Sequence, residues 1–260
     1  MSLSLFSLSI DDGHPLDMKL AALLDKHGLA ATFYIPGRNQ EGLPVMNAEQ
    51  IRELASRFEM GSHTLEHRFL TELSPEQSYR QIVEGKRALE DLLGQSVQGF
   101  CYPGGKFHTQ HCKQVKAAGF LYARTTQNLR LDIGTRAFEL PTTLQFYPHT
   151  SKVLLRNYLS QGNWYKRWLP LSVVLSTPDW LARLYLLFNH VCAQDGMFHL
   201  WCHTIDIERL ELWNALDNFL ACVARRIPPA HRVSNSALLK HLAPVSVRAH
   251  GVEGWAARDA

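Results

Sequence analysis

Cysteine is scarce in this 260-residue chain, and its spacing excludes two classes of protein. A disulfide framework normally shows an even number of cysteines, and a thiolate zinc site normally shows close CxxC pairs. The five cysteines here are odd in number, widely separated and never paired in that way: Cys101, Cys112, Cys192, Cys202 and Cys222. We therefore expect reduced thiols, which fit a cytoplasmic protein.

Long apolar runs and an excess of charge of one sign are also missing. The apolar stretch from Leu181 to Leu187 is interrupted by Arg183 and therefore predicts no membrane span. The apolar start, Met1 to Ile10, has no basic lead and no cleavage pattern, so it predicts a strand and not a signal peptide. The net charge is +3 and the basic residues are spread along the chain, so the sequence predicts no basic surface for binding nucleic acid. We expect a soluble, intracellular protein.

Strand-like and helix-like segments alternate along the chain with short connections. The helix-like segments begin at capping boxes, such as Asn47 with Gln50 and Ser74 with Gln77, or end at glycine. The alternation predicts a mainly parallel sheet covered by helices; at this length it favours a closed or nearly closed barrel over a doubly wound open sheet. The predicted strands are 3–10, 31–35, 58–61, 97–101, 120–125 and 197–203.

No internal repeat, low-complexity linker or break in composition divides the chain. We therefore predict a single domain over residues 1–260. A helical insertion with three tryptophans is expected at 151–195, before the last strand. The tail at 245–260 is rich in alanine, glycine and charge, and we expect it to be poorly ordered.

The most informative pattern combines His63 and His67 with the adjacent carboxylates Asp11 and Asp12. Histidines four residues apart fall on one face of a helical turn, where both can bind one cation. Two imidazoles and a carboxylate are the ligand set of a catalytic zinc-type site, which keeps one coordination position for water. Each motif alone is better explained by turn or surface residues, but the two together favour a hydrolase.

Candidate functional residues lie at the carboxyl ends of four predicted strands: 11–12, His63, 102–105 and His203. Functional residues gather at the carboxyl ends of the strands in barrels and in open α/β sheets alike. We therefore expect these four positions to meet at one face. One of the two adjacent carboxylates can hold a metal while the other stays free as a base, but the spacing does not decide which.

These motifs resemble the polysaccharide deacetylase family (carbohydrate esterase family 4, the NodB-homology domain). Its first two motifs, a strand ending in Asp-Asp-Gly and His-Ser/Thr-x-x-His, are matched at 9–13 and 63–67. The third, Arg-x-Pro-x-Gly, is met by Tyr102-Pro103-Gly104-Gly105, with Cys101 in place of the arginine. The last, an apolar strand ending in histidine, looks like Leu200 to His203. The resemblance spans roughly the first four-fifths of the chain.

The resemblance implies a distorted (β/α) barrel of about seven parallel strands, with a helical insertion before the last strand. It implies a divalent metal held by Asp12, His63 and His67. Zinc is the default for this ligand set, with cobalt, nickel or iron as alternatives. Asp11 is then the catalytic base, and His203 is the acid that protonates the departing amine.

The resemblance also implies how the substrate is bound. Residues Tyr102, Pro103 and Gly104 are expected to bind substrate, with backbone N–H groups around Tyr102 stabilising the oxyanion. Trp201 is expected to form an apolar wall for the acetyl methyl group. The implied substrate is an N-acetylated sugar.

Two parts of the family pattern are not found in their usual place. We expect Arg124, at the end of the next strand, to supply the guanidinium that is missing at Cys101. The alternative is that Arg124 is an ordinary surface residue of its strand. The family's fourth motif supports the acid histidine. Asp179 and Asp206 are both candidates for this role, although an aspartate at a helix start, such as Asp179, more often caps the helix.

The predicted function is removal of N-acetyl groups from a sugar in a glycan or an activated glycan precursor. The expected cytoplasmic location favours biosynthesis of surface polysaccharide such as O-antigen. One alternative is a hydrolase of cyclic amides or imides on the same fold. Another is a glycan-binding protein whose catalytic machinery has decayed. The sequence does not predict the oligomeric state.

Overall fold

The structure is a computed structural model that describes residues 4–242. The tail expected to be poorly ordered, 245–260, lies outside the described residues. Helices cover the outer face of one curled sheet, and no described helix is long and apolar enough to cross a bilayer.

The sheet contains seven strands within the described range, and every pairing is parallel. Their spatial order is β5-β4-β3-β2-β1-β7-β6, so the first strand lies in the middle. The strands are β1 (Ser4–Asp11), β2 (Thr32–Ile35), β3 (Glu59–Ser62), β4 (Gly99–Cys101), β5 (Tyr122–Arg124), β6 (Leu144–Gln145) and β7 (Gly196–Cys202).

Ten α-helices lie between and after these strands in the described chain. Helices α5 to α7 form the predicted insertion before β7. The helices are α1 (Asp17–His27), α2 (Ala48–Ala55), α3 (Pro75–Leu93), α4 (Thr109–Ala117), α5 (Ser151–Ser160), α6 (Trp164–Ser176), α7 (Trp180–Gln194), α8 (Thr204–Arg209), α9 (Trp213–Arg226) and α10 (Asn235–Leu238).

The segment around β6 brings the two edges of the sheet together. Its first part bonds to β5, since Leu140 N donates to Ala123 O and Thr125 N donates to Leu140 O, both at 2.9 Å. Its second part bonds to β7, where Thr143 N donates to His199 O at 2.8 Å. The sheet therefore curls into a distorted barrel, and the predicted fold class is confirmed. Strand β6 is not among the strands predicted from the sequence, because a strand of two residues has no readable periodicity.

Strand β1 alternates between an apolar outer face and a polar inner face. Phe6, on the outer face, packs against Phe188, Phe198 and Phe219 with ring centroids 6.3–6.5 Å apart. Fully burying such a ring contributes about 1.5–3 kcal/mol. This contact joins β1 and β7 to α7 and α9.

The inner face of β1 faces a buried polar network. Ser9 Oγ lies 2.7 Å from His199 Nε2 and accepts a bond from Asn235 Nδ2 at 2.8 Å. His199 Nδ1 donates to Pro141 O at 2.9 Å, so Nε2 accepts the serine proton. Burial, helped by Arg124, lowers the pKa of His199 to about 3, and the ring is neutral. His199 is therefore a packed structural residue.

Candidate metal centre and active site

Three side chains from two strand ends point at one place. Asp12 follows β1, and His63 and His67 lie in the loop after β3. His67 Nε2 is 3.2 Å and His63 Nε2 is 3.5 Å from the same Asp12 oxygen, Oδ1. All three side chains are buried, and their ligand atoms lie within 4.8 Å of one another. The structure thus brings together the three residues expected to hold a metal.

The expectation that His63 and His67 share a helical turn is wrong. Residues 63–67 form an irregular loop in which Thr64 and His67 have positive φ, 69° and 55°. The two rings approach to a centroid distance of 4.9 Å because the chain folds sharply between them. A positive φ is costly for residues other than glycine, so the surrounding contacts must hold this loop.

Helix α3 supplies those contacts. Leu65 N donates to Gln81 O at 3.0 Å, and Glu66 N donates to Gln81 Oε1 at 2.9 Å. Gly85 lets the loop approach the helix closely: a Cβ there would lie 2.5 Å from the carbonyl carbon of Thr64 and 2.7 Å from Leu65 N. The role of Gly85 cannot be recognised in the sequence, because it depends on a contact between distant segments.

The donor set fits a divalent cation. His63 Nδ1 donates to Cys101 O at 2.8 Å, which leaves Nε2 with a lone pair directed at Asp12. Asp12 Oδ1 is buried and has no hydrogen-bond partner among the described residues. Burial by itself would raise the pKa of Asp12, but His63, His67 and His203 outweigh burial and hold the pKa well below its usual range. The carboxylate is therefore ionised and available as a ligand.

Asp11 forms a buried ion pair with Arg124. The Arg124 side chain is fully buried, and its Nη2 donates to Asp11 Oδ1. The guanidinium also lies over the rings of Tyr34 and Trp201, 5.3 and 5.2 Å from their centroids. Burial by itself would lower the pKa of Arg124, but the Asp11 charge outweighs burial and raises it. Arg124 is thus a charged residue of the barrel interior and not a surface residue.

Cys101, which stands at the position of the family's arginine, also contacts Asp11. Its Sγ lies 3.9 Å from Asp11 Oδ2, and Cys101 pairs in register with Arg124 on the neighbouring strand. Ligand atoms of Asp11, His63 and Cys101 form a second group that could hold a metal. Burial raises the pKa of the Cys101 thiol well above its usual value, which disfavours the thiolate that metal binding requires.

His203 follows β7 on the other side of Asp12. Its Nε2 lies 3.8 Å from Asp12 Oδ2, and its Nδ1 lies 3.0 Å from Asp206 Oδ2. Burial by itself would lower the pKa of His203, but the hydrogen bond to Asp206 and the charges of Asp12 and Asp11 raise it to about 9. Of the two candidate supports for this histidine, Asp206 contacts it. Asp179 instead caps α7, accepting from Leu181 N and Ala182 N.

A groove of about 670 Å³ leads to these residues. Of the four expected substrate-binding residues, Gly104 and Trp201 line it. Tyr102 and Pro103 are not among its lining residues. The Tyr102 ring stacks on Phe107 at 4.5 Å, and its N–H is used in a 3.4 Å bond to Arg124 O. The geometry therefore does not present the Tyr102 N–H to an oxyanion.

Several residues of the groove were not found from the sequence. Gln145, on the missed strand β6, lies 3.3 Å from His203 Nδ1 through its Nε2, and its Oε1 lies 2.7 Å from His149 Nε2. Helix α5 of the insertion forms one wall through Arg156 and Asn157. Neither region matches a motif, so no sequence signal pointed to them.

Comparisons with known proteins bear on the family and the fold. Residues 4–123 match the family model described as polysaccharide deacetylase. The expected family resemblance is confirmed. A curated relative of that family, YxkH of Bacillus subtilis (strain 168), is 25% identical over 122 residues, which cover 46% of this chain and 44% of YxkH. The matched region is thus less than half of that relative's length.

Solved structures of polysaccharide deacetylases and related esterases share the fold. A Mycobacterium smegmatis protein has a TM-score of 0.59 at 16% identity, covering 92% of this chain and 91% of its own. A family 4 acetyl xylan esterase from Clostridium thermocellum, solved with a cobalt ion, has a TM-score of 0.57 at 18% identity, covering 91% and 90%. Peptidoglycan deacetylase PdaC of Bacillus subtilis has a TM-score of 0.53 at 16% identity, covering 92% and 91%.

Proposed function

We propose that this protein is a metal-dependent hydrolase that removes N-acetyl groups from a sugar in a glycan or an activated glycan precursor. The observation that carries the proposal is the cluster of Asp12, His63 and His67 with Asp11 and His203 beside it. A ligand set, a base and an acid therefore lie at one end of the barrel. We also propose that residues 1–260 form a single catalytic domain.

We propose that Asp12, His63 and His67 hold the metal, with zinc as the default ion. When bound, such a cation activates water and polarises the carbonyl of the acetamido group. Asp12 Oδ1, which has no hydrogen-bond partner among the described residues, and the lone pair on His63 Nε2 support this ligand set. Cobalt, nickel and iron suit the same ligands, and the acetyl xylan esterase named above was solved with cobalt.

Asp11 is positioned to accept the proton of the attacking water. Arg124 holds the Asp11 carboxylate through Oδ1, which leaves Oδ2 beside Cys101 as the oxygen not used in the ion pair. A charged guanidinium fixes the carboxylate in one orientation, as general base catalysis requires. Arg124 is thus a positioning residue, acting through Asp11.

His203 is positioned to protonate the departing amine. Its raised pKa keeps it protonated at neutral pH, and its Nδ1 is engaged by Asp206, so Nε2 is the nitrogen that faces the centre. An amine leaves poorly unless it receives a proton, and a positioned acid typically contributes about 10²–10⁴-fold in rate.

The groove supports a sugar as substrate. Amide and hydroxyl side chains of Asn128, Asn157, Ser160 and Gln161 line it, and such groups match the hydroxyls of a glycan. Trp201 offers an apolar face next to His203, at a ring distance of 5.3 Å, for the acetyl methyl group. A role in O-antigen biosynthesis and a cytoplasmic location stay predictions.

The test measures the release of acetate by protein of known metal content. Stripped protein reloaded with zinc, cobalt, nickel or iron is incubated with N-acetylated oligosaccharides and nucleotide sugars. We expect acetate only after reloading. Calorimetry of cation binding gives a second readout: Asp12→Ala should lose binding, whereas Asp11→Asn should bind the cation and lose turnover.

Other outcomes assign the protein to another function. Ring-opened product from a cyclic amide or imide without acetate would favour the alternative hydrolase. Sugar binding by the metal-loaded protein without turnover of any substrate would favour a decayed glycan-binding protein.

A further inference from the structure

The helical insertion carries exposed aromatic side chains beside the groove. Nine large hydrophobic side chains are exposed among the described residues, and six of them lie between positions 159 and 186 of the insertion. Five belong to α5 and α6, and we call them the hairpin patch: Leu159, Trp164, Tyr165, Trp168 and Leu175. Aromatic residues are rarely this exposed in clusters, and such a cluster marks an interaction surface.

The patch is continuous along one side of α6. Trp164, Trp168 and Leu175 stand at helix positions i, i+4 and i+11, which share one face, and Tyr165 flanks them. Their exposed fractions are high, at 55%, 62% and 55%, with 73% for Tyr165. The opposite side of α6 is buried through Arg167, Pro170 and Val174, so this helix is fixed with its aromatic side outward.

The chain segment that carries the patch is rich in positive charge, and one of its cations, Lys166, pairs with Asp132 at 3.2 Å. From Leu140 to Pro178 the sequence contains no aspartate or glutamate. Lys152 and Arg156 are exposed and form no ion pair among the described residues. Arg167 is buried and donates to backbone carbonyls, among them Asn128 O at 2.8 Å and Gly162 O at 2.8 Å, so it connects α6 to the segment at 128 and to the α5–α6 connection.

We propose that the hairpin patch docks onto the surface of an anionic lipid bilayer. Tryptophan and tyrosine favour the headgroup region, where one end of the ring is apolar and the other is wet. Lysine and arginine beside them are attracted by anionic lipid. A second copy of this chain suits the patch less well, because a symmetric contact would set Lys152 and Arg156, which form no ion pair among the described residues, against the same cations of the other copy.

Docking in this way places the groove at the lipid surface. Helix α5 forms a wall of the groove through Arg156 and Asn157, and Gln161, in the α5–α6 connection, also lines it. The natural substrate would then be an acetylated glycan carried on a lipid. This last step rests on the proposed function, whereas the docking itself does not.

Vesicle sedimentation with the full chain tests the docking. Wild type should bind vesicles of phosphatidylcholine with 30% phosphatidylglycerol, and binding should weaken at least tenfold with phosphatidylcholine alone or in 0.5 M salt. Tyr165→Ser with Trp168→Ser should lower binding at least tenfold, and Lys152→Glu should lower it less. Tyr79→Ser with Leu121→Ser removes two exposed hydrophobic side chains elsewhere and should leave binding unchanged.

Two kinds of outcome would contradict the docking. No binding of wild type to anionic vesicles, or equal binding by the patch variant, would overturn the docking. A concentration-dependent dimer that the patch variant abolishes would overturn it in favour of self-association. Acetate release distinguishes failure of the docking from failure of the proposed function. The patch variant should still release acetate from a soluble oligosaccharide but not from a glycolipid in vesicles. A wild-type protein that binds vesicles but releases no acetate would refute only the proposed function.

Discussion

Arg124 and Asp11 form an ion pair inside the barrel although they lie 113 positions apart in the sequence. Their strands are not neighbours, since β4, β3 and β2 separate β5 from β1 in the sheet. The curling of the sheet brings the two ends together. A guanidinium from β5 thus reaches the same carboxylate that the family's arginine, one strand earlier, is expected to hold.

Moving the arginine back to β4 tests this relationship. Arg124→Ala should lower kcat and, because it leaves a buried carboxylate unpaired, should lower the free energy of unfolding by about 3–5 kcal/mol. Adding Cys101→Arg should restore part of both, since position 101 is paired with 124 and its side chain already contacts Asp11. The measurements are steady-state kinetics and urea unfolding.

Asp11→Asn serves as the reference for the same experiment. It should lower kcat by about 10²–10⁴-fold, the usual contribution of a positioned base. Unchanged turnover in Arg124→Ala beside a dead Asp11→Asn would show that Arg124 has no positioning role.

Gly85 in α3 should affect cation binding although it lies outside the site, because it packs against residues 63–67, which we call the metal loop. Gly85→Ala would push a methyl group into the backbone of Thr64 and Leu65, which has no flexible end to yield. We expect cation affinity, measured by calorimetry, to fall by at least tenfold, although alanine favours helix by about 1 kcal/mol over glycine.

Arg87→Ala, at an exposed position of the same helix, is the matched control and should leave cation affinity unchanged. If Gly85→Ala bound the cation as tightly as Arg87→Ala does, α3 would not position the loop.

Asp206 should set the alkaline limit of activity through His203. The acid form of His203 is needed, so kcat should fall as pH rises through the pKa of about 9. A cation bound at Asp12 opposes the rise in the pKa of His203. The alkaline limb of the pH profile, where kcat falls, should therefore lie at or below pH 9 in the metal-loaded enzyme. Asp206→Asn removes a hydrogen bond and a charge that raise this pKa, and should move the limb to lower pH.

The readout is the pH profile of kcat. Asp179→Asn, which affects only the cap of α7, is the control and should keep the wild-type limb. Identical limbs in wild type and Asp206→Asn would remove Asp206 from the mechanism.

Asp17 should make the protein less stable as pH rises. Its side chain is fully buried, with Oδ1 accepting from Thr204 Oγ1 at 2.6 Å and Oδ2 without a partner among the described residues. Burial raises the pKa of Asp17 well above its ordinary 3.8, against the Thr204 hydrogen bond. The folded state therefore holds its proton more tightly, and the stability contributed below pH 3.8 is lost as pH rises through the folded pKa.

Asp17→Asn cannot ionise, so its gain in stability over wild type should grow from pH 4 to pH 8 in urea unfolding. Asp217→Asn should show the opposite sign in a more acidic range: Lys26 and His27 lower the pKa of Asp217 from its ordinary 3.8, so its stabilising contribution is present at pH 4 and is lost as the pH falls below that. A constant difference between Asp17→Asn and wild type across this range would contradict the argument.

The sequence identified the parts of the fold that depend on local pattern. The capping boxes at Asn47 and Ser74 are both present, and Gly28 and Gly94 both end helices in the left-handed conformation. It missed β6, whose pairing depends on β7, and it placed His63 and His67 on one helical turn. Spacing of four suggested that turn, but contacts with α3 determined the loop.

Residue types and their order along the chain determined the chemistry. The two carboxylates, the two imidazoles and the strand-end histidine can be recognised because each group lies in a short motif of its own. Only the tertiary structure decided which distant groups serve them. Arg124 reaches Asp11, Asp206 and not Asp179 reaches His203, and Gly85 makes room for the metal loop. These are long-range contacts created by the curl of the sheet and by helix packing, and local pattern does not encode them.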